Sequence, residues 1–434
     1  MFLRSFKLFF ATLVTVLLSV ACGGDAAAPP TNVVVVAGES SVTVSWDMAG
    51  GVENWLFFGP TSTVPTSTTA MEKWISQYGG GTVLNVTSPY VVSGLANGVS
   101  YSFSLNGRTN GGPGGPGSTP VTATPRIAGS SWSAGTAISG ANDLRAVAYG
   151  ATIATTTTAA VASYVAAGST GAMYSSHDGA IWSAISYASN INTLNGASYL
   201  AGFYTLVGDN GVILRSSDLA TWTTPTSNPA TGRKLNAIAS NYSNLSVAVG
   251  ASGTIIYSAD GVTWTAASNS ATTSDLYAVT YTTFNVGTYT AGTWTAVGAG
   301  GTLVQSPDAI TWTLVPSVTS NDLHGIAYGA SISSASVVTP IFVAVGSSGA
   351  VLTSNNGISW TAQTLPGTSN LNAVAFGAQF VTVGAGGNIF YSTDGVTWAT
   401  ASTTPTSSSD LLAVTHGLNA YSAVGVAGTN LLAK

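Results

Sequence analysis

Cysteine occurs once in this 434-residue chain, at Cys22, so no disulfide can form within it. Charge is scarce: Asp, Glu, Lys and Arg make up 6% of the residues, and the formal net charge is -5. Ten basic residues over this length provide no cationic stripe, which argues against nucleic acid as a partner. Long apolar runs are missing too. Leu8–Val20, 13 residues, falls short of the roughly 20 needed for a spanning helix. Against these absences stand 51 glycines, abundant Ser and Thr, and 45% hydrophobic residues. Low charge with many small polar and β-branched residues reads as an exported all-β protein, not a disordered one.

The N-terminus has a positive start, Arg4 and Lys7, then the apolar run, then small residues ending at Cys22. This resembles a bacterial lipoprotein signal, with Leu18-Ser19-Val20-Ala21 before the cysteine. The resemblance implies a signal over residues 1–22 and lipidation of Cys22. It implies export and lipid anchoring to the bacterial cell envelope, at the outer membrane or cell surface. The lipid is then the only membrane contact. Cleavage before Cys22 removes two of the 10 basic residues and leaves 8 against 15 acidic, a net charge of -7.

Residues 23–29 read as a tether, and residues 30–125 as a β-sandwich. Val42, Val44 and Trp46 alternate on one strand, and Tyr101, Phe103 and Leu105 on another. Turn signals such as Gly94-Leu95-Ala96-Asn97-Gly98 lie between them. Pro30, Trp46, Leu95 with Tyr101, and the closing Ala123-Thr124-Pro125 resemble a fibronectin type III domain. That likeness implies a spacer or adhesive module, with Trp46 in the core and a tyrosine corner at Tyr101.

Residues 126–434 repeat. Six boxes fit Ser-x-Asp/Asn-x-x-x-Trp: Asp178 with Trp182, Asp218 with Trp222, Asp260 with Trp264, Asp308 with Trp312, Asn356 with Trp360 and Asp394 with Trp398. The tryptophans are 40, 42, 48, 48 and 38 residues apart, close to the roughly 40–45 residues of a four-stranded propeller blade. Seven first strands open with Leu, at Leu144, Leu194, Leu235, Leu276, Leu323, Leu371 and Leu411. The last repeat ends at its third strand. Its fourth is expected from Ser131-Trp132-Ser133-Ala134, 50 residues before Trp182, so that the ring closes and no sheet edge is left bare. The expected fold is therefore all-β: an N-terminal sandwich followed by a seven-bladed propeller.

The boxes resemble the Asp-box repeat of sialidases and related propellers, including the photosystem II assembly factor group. Their reading is structural. The carboxylate accepts amides of its own turn, the following Gly allows a positive φ, and the Trp packs between blades. One Asp per turn supplies too few oxygens for calcium, so no metal or cofactor is expected. The sialidase likeness would imply an arginine triad and a Tyr activated by Glu. No glutamate follows Glu72, and the only arginines from residue 126 onward are Arg126, Arg145, Arg215 and Arg233, which argues against that activity. Asp-box glycosidases that use two aspartates remain as an alternative. The non-box aspartates are Asp143, Asp209, Asp275, Asp322 and Asp410; four precede an opening Leu, which favours a turn role over catalysis. No residue is assigned as catalytic.

Antiparallel order puts the starts of the first strands on the face opposite the boxes. The residues after the opening Leu are Arg145, Asn195, Asn236, Tyr277, His324, Asn372 and Leu412. Six can hydrogen-bond, and together they form the candidate ligand site, a polar ring at a channel mouth. Two functions stay open: a non-catalytic protein- or glycan-binding scaffold at the cell surface, or a glycoside hydrolase acting on an extracellular polysaccharide.

Overall fold

The computed structural model describes residues 26–434 except 48, 61–79, 137, 139, 141, 154–159, 188–191, 242–243, 287–288, 333–337 and 405–407. Cys22 and the signal segment lie outside the described residues. The chain divides into two compact units, Met1–Arg126 and Ile127–Lys434.

The first unit holds two antiparallel sheets. One contains Thr31–Gly38, Ser41–Asp47 and Tyr90–Ser93; the other is built on Glu53–Gly59, Gly81–Val86 and Tyr101–Arg108. The period-two pattern of Ser41–Asp47 buries Val42, Val44 and Trp46, and these share one apolar cluster with Leu56, Phe103 and Leu105 of the other sheet. Each such buried side chain contributes about 1.5–3 kcal/mol. The Tyr101 hydroxyl accepts the Ala96 amide at 3.1 Å, which ties the turn before the strand to the strand itself.

The second unit is a β-propeller. Its described residues form seven sheets, opening at Leu144, Leu194, Leu235, Leu276, Leu323, Leu371 and Leu411, antiparallel throughout except that Ser402–Thr404 pairs parallel with Ser131–Ala134 at the edge of the seventh. Each opening leucine is fully buried. The first strand of each sheet touches the first strands of its neighbours, and Leu411–Gly417 of the seventh touches Leu144–Ala151 of the first. A glycine ends every second strand because the carbonyl before the opening Leu sits where a Cβ would stand, as the Asp275 carbonyl does at Gly298. A three-residue turn follows, its middle residue left-handed even where it is Ser252 (φ 53°) or Ala427 (φ 54°).

Ser131–Ala134 pairs antiparallel with Asn430–Ala433, the third strand of the seventh sheet. Trp132 is buried among residues of the sixth and seventh sheets, including Val381, Val383, Tyr421 and Leu431. A second apolar cluster joins Leu144 and Val147 of the first sheet to Ala413 and Val424 of the seventh. The 48-residue spacings have a simple origin. In the fourth and fifth sheets the first two strands extend as long hairpins, Leu276–Val286 with Tyr289–Gly298 and Leu323–Ile332 with Val338–Gly346.

Each box is a self-contained hydrogen-bonded turn. In the third sheet Asp260 Oδ1 accepts the Val262 and Thr263 amides at 2.8 and 2.7 Å and the Ser258 hydroxyl at 3.0 Å. The amides of Thr263 and then Val262 lower the Asp260 carboxyl to about 2. Asp218 and Asp308 are lowered in the same way, with the Thr221 and Thr311 amides the first cause. At Asp178 and Asp394 burial is the largest influence and opposes ionisation, but turn amides and a serine hydroxyl outweigh it. Asn356 Oδ1 replaces the carboxylate, accepting Ile358 and Ser359 at 2.9 Å. Trp182, Trp222, Trp312, Trp360 and Trp398 each donate Nε1 to the carbonyl three residues back, whereas Trp264 Nε1 is buried without a partner. The indole packs between its own sheet and the preceding one: Trp264 lies with Val207 and Ile213 of the second sheet.

Candidate functional site

The face opposite the boxes is built from the starts of the first strands and the turns after the second. The residue before each opening Leu and the residue after it have separate tasks there. At five of the seven openings the one before, an Asp or Asn, reaches back to the preceding sheet. Asp275 Oδ1 accepts the Ser252 amide at 2.8 Å, Asp322 the Gly300 amide at 2.8 Å, Asn370 the Ser348 amide at 2.9 Å and Asp410 the Gly386 amide at 2.8 Å. Asp143 accepts the Ala427 amide at 3.2 Å, which carries the same bond from the seventh sheet to the first. These aspartates therefore cap the left-handed residue of a neighbouring turn.

The residue after the opening Leu separates into two groups. Asn236 and Asn372 donate Nδ2 to the Leu276 and Leu411 carbonyls of the next sheet, both at 2.8 Å. Asn195 donates to the Leu235 carbonyl at 3.0 Å and to Asp209 at 2.9 Å. These three asparagines of the expected ring are engaged in holding adjacent sheets in register. Arg145 pairs with Asp143 at 3.5 Å in an exposed contact worth little in water.

Tyr277 and His324 are brought together, their ring centroids 5.3 Å apart at 36°. His324 Nε2 lies 3.0 Å from the Ser347 hydroxyl. Burial pushes His324 below its usual range, which Asp322 partly opposes, so the ring is neutral at pH 7. Burial raises the Tyr277 phenol, with Asp322 and Asp275 adding to the effect. The pair is a half-buried aromatic ledge with two carboxylates beside it. It offers stacking area and hydrogen bonds, not a nucleophile and its base. Among the described residues no group of three His, Cys, Asp or Glu is placed to hold a metal ion. A hollow of about 600 Å³ lies between Asn269–Ser274 and Leu314 and is lined by no titratable side chain.

Two features lie outside the boxes and the expected ring. One is an aromatic set on the first strands, five residues after the opening Leu, where Tyr149, Tyr199, Tyr281, Tyr328, Phe376 and His416 stand. Each packs on an aromatic of its own second strand at 4.6–5.1 Å between centroids, as Tyr281 does on Trp294 and Phe376 on Phe380. Its spacing was readable in the repeats. The other is Arg215, whose guanidinium lies 3.4 Å above the Phe203 ring on the box face. Only the fold brings those two residues together.

No family model and no curated protein matches the chain. Solved structures do match in fold. One described as YCF48 bound to D1 peptide superposes with a TM-score of 0.53 at 16% identity, over 71% of this chain and 98% of that one. YCF48 from Cyanidioschyzon merolae superposes with a TM-score of 0.50 at 16% identity, over 70% of this chain and 98% of that one.

Proposed function

We propose that the chain is a non-catalytic binding scaffold of the bacterial cell envelope, and that it engages a protein partner on the propeller face opposite the boxes. In this reading residues 1–22 are a lipoprotein signal and Cys22 carries the lipid anchor, which places the protein at the outer membrane or cell surface. Residues 23–29 are a tether. Residues 30–125 are a fibronectin type III-like sandwich that serves as a spacer, and residues 126–434 are a propeller whose seven sheets are seven Asp-box blades.

The observation that carries the binding face is the Tyr277–His324 ledge. With three of the ring asparagines engaged between sheets, these two rings and Arg145 are the side chains of the ring suited to anchor a partner. The same fold in YCF48, described as bound to a D1 peptide, supports a peptide or protein as ligand. The hydrolase alternative needs two free carboxylates across a cleft. Four of the five non-box aspartates on this face accept turn amides, and the fifth accepts Asn195, which speaks for scaffolding.

The test is selection of peptides from a random displayed library against the full chain, followed by affinity measurement. Changing both Tyr277 and His324 to Ala should weaken the selected peptides more than tenfold, about 1.4 kcal/mol. Peptides that keep full affinity for the double variant would place the site elsewhere and overturn the assignment.

A further inference from the structure

The box face holds a cation, the Arg215 guanidinium, that makes no hydrogen bond or ion pair among the described residues. Arg215 is the third residue of Ile213–Ser216, the third strand of the second sheet. Its guanidinium carbon lies 3.4 Å from the centre of the Phe203 ring, and its stem passes close to Gly261 of the next box, where even a methyl group would meet Nε. The other six sheets carry uncharged residues at this place: Ser175, Tyr257, Gln305, Thr353, Tyr391 and Leu432. Gln305, for comparison, donates Nε2 to Thr295 at 3.0 Å. Among the described residues no acceptor lies within hydrogen-bonding distance of the Arg215 guanidinium, and no carboxylate within ion-pair distance.

Arg215 opens into a pocket of about 250 Å³ between the second and third sheets, with Phe203, Thr205, Asn244, Ser246 and Asp260 on its wall. Pockets for drug-sized ligands run from roughly 300 Å³ upward, so this one suits a group of monosaccharide size. A guanidinium held over an aromatic ring has lost most of its rotamer freedom, and its fork of N–H donors matches a carboxylate. Asp260 sits across the pocket, near enough for its charge to act on Arg215 against the effect of burial. A ligand bringing only a carboxylate would meet that negative charge. A ligand bringing hydroxyl donors beside its carboxylate would bond to Asp260 as well, with Asn244, Ser246 and Thr205 as further partners.

From this arrangement we propose that the pocket between the second and third sheets binds hydroxylated carboxylates, of which a uronic acid residue in a polysaccharide is the type. The carboxylate pairs with the Arg215 fork and the ring hydroxyls face Asp260 and Asn244. This site lies on the face opposite Tyr277 and His324 and is independent of the partner proposed there.

The experiment titrates the full chain with trigalacturonic acid, with neutral galactotriose and with a tripeptide of glutamate, by calorimetry at low salt. Saturable binding of trigalacturonic acid alone is expected. It should weaken at least tenfold in Arg215→Met, which keeps an apolar stem beside Gly261 but removes the guanidinium, and be little restored in Arg215→Lys, which keeps the charge without the fork. Thermal melts of both variants matching the parent ensure that loss of binding is not loss of fold. Tyr277→Ala should bind trigalacturonic acid as the parent does. No saturation by trigalacturonic acid, equal binding of galactotriose, equal or tighter binding of the glutamate tripeptide, or an unaffected Arg215→Met would each overturn the proposal.

Discussion

Replacing Trp132 by Ala probes the closure of the ring, because the residue stands in a strand far in sequence from the sixth and seventh sheets it packs against. The indole is 3% exposed, and it packs against Val381 and Val383 of the sixth sheet and Tyr421 and Leu431 of the seventh. Its Nε1 donates to the Gly129 carbonyl at 2.7 Å, and its ring lies 6.3 Å from that of Tyr421. Removing a buried Trp costs about 3–5 kcal/mol, as large-to-small core changes do. In a domain of this size that lowers Tm by on the order of 10 °C. Trp182 occupies the box position of the first sheet but is only half-buried, so the same change there should cost less. Deleting residues 127–138 goes further and bares the fully buried strand Asn430–Ala433, which should aggregate. Urea unfolding followed by tryptophan fluorescence, with light scattering for aggregation, reads both effects. A loss below about 1 kcal/mol for Trp132→Ala, a larger loss at Trp182, or a shortened chain that melts like the full one would refute the closure argument.

Three further outcomes are expected. Ala309 holds a left-handed φ of 66° where four other boxes have glycine, so Ala309→Gly should stabilise by about 1 kcal/mol, and a destabilisation in urea unfolding would show that its buried methyl matters more. His324 is held below its usual pKa of about 6.5, so its contribution is complete above that pH and is lost as pH falls through the lowered value. The stability of His324→Gln should therefore vary less between pH 7.5 and 5 than that of the parent; the lowered box aspartates act only below about pH 4 and leave that window clear. Cys22→Ser should release the protein from membranes in cell fractionation, and unchanged membrane association would refute the anchor.

What was legible in the sequence was whatever repeats. The opening leucines, the Val-Gly ends of the second strands and the boxes recur because each sheet faces the same steric demands, such as the carbonyl that leaves room only for glycine at Gly298. Counting seven first strands against six boxes was enough to point to Ser131–Ala134, which pairs with Asn430–Ala433. The candidate ring was legible only as positions. Asn195, Asn236 and Asn372 look like ligand groups in one dimension, but the next sheet brings the Leu235, Leu276 and Leu411 carbonyls within reach, and the side chains are used there. Asp275 and Asp322 were placed in turns, but the turn each one caps belongs to the preceding sheet. Arg215 was invisible for the same reason: its ring partner Phe203 lies 12 residues earlier on a different strand, and no motif links them.

The central claim is that a partner docks on the face of Tyr277 and His324. Site-specific photo-crosslinking in intact cells tests it most directly, with a photoreactive amino acid placed at residue 277 in one variant and at the exposed box residue Val396 in another. One discrete protein adduct from position 277, lost when His324 is also changed to Ala and not formed from position 396, is the predicted result. Adducts from position 396 and none from position 277 would contradict it.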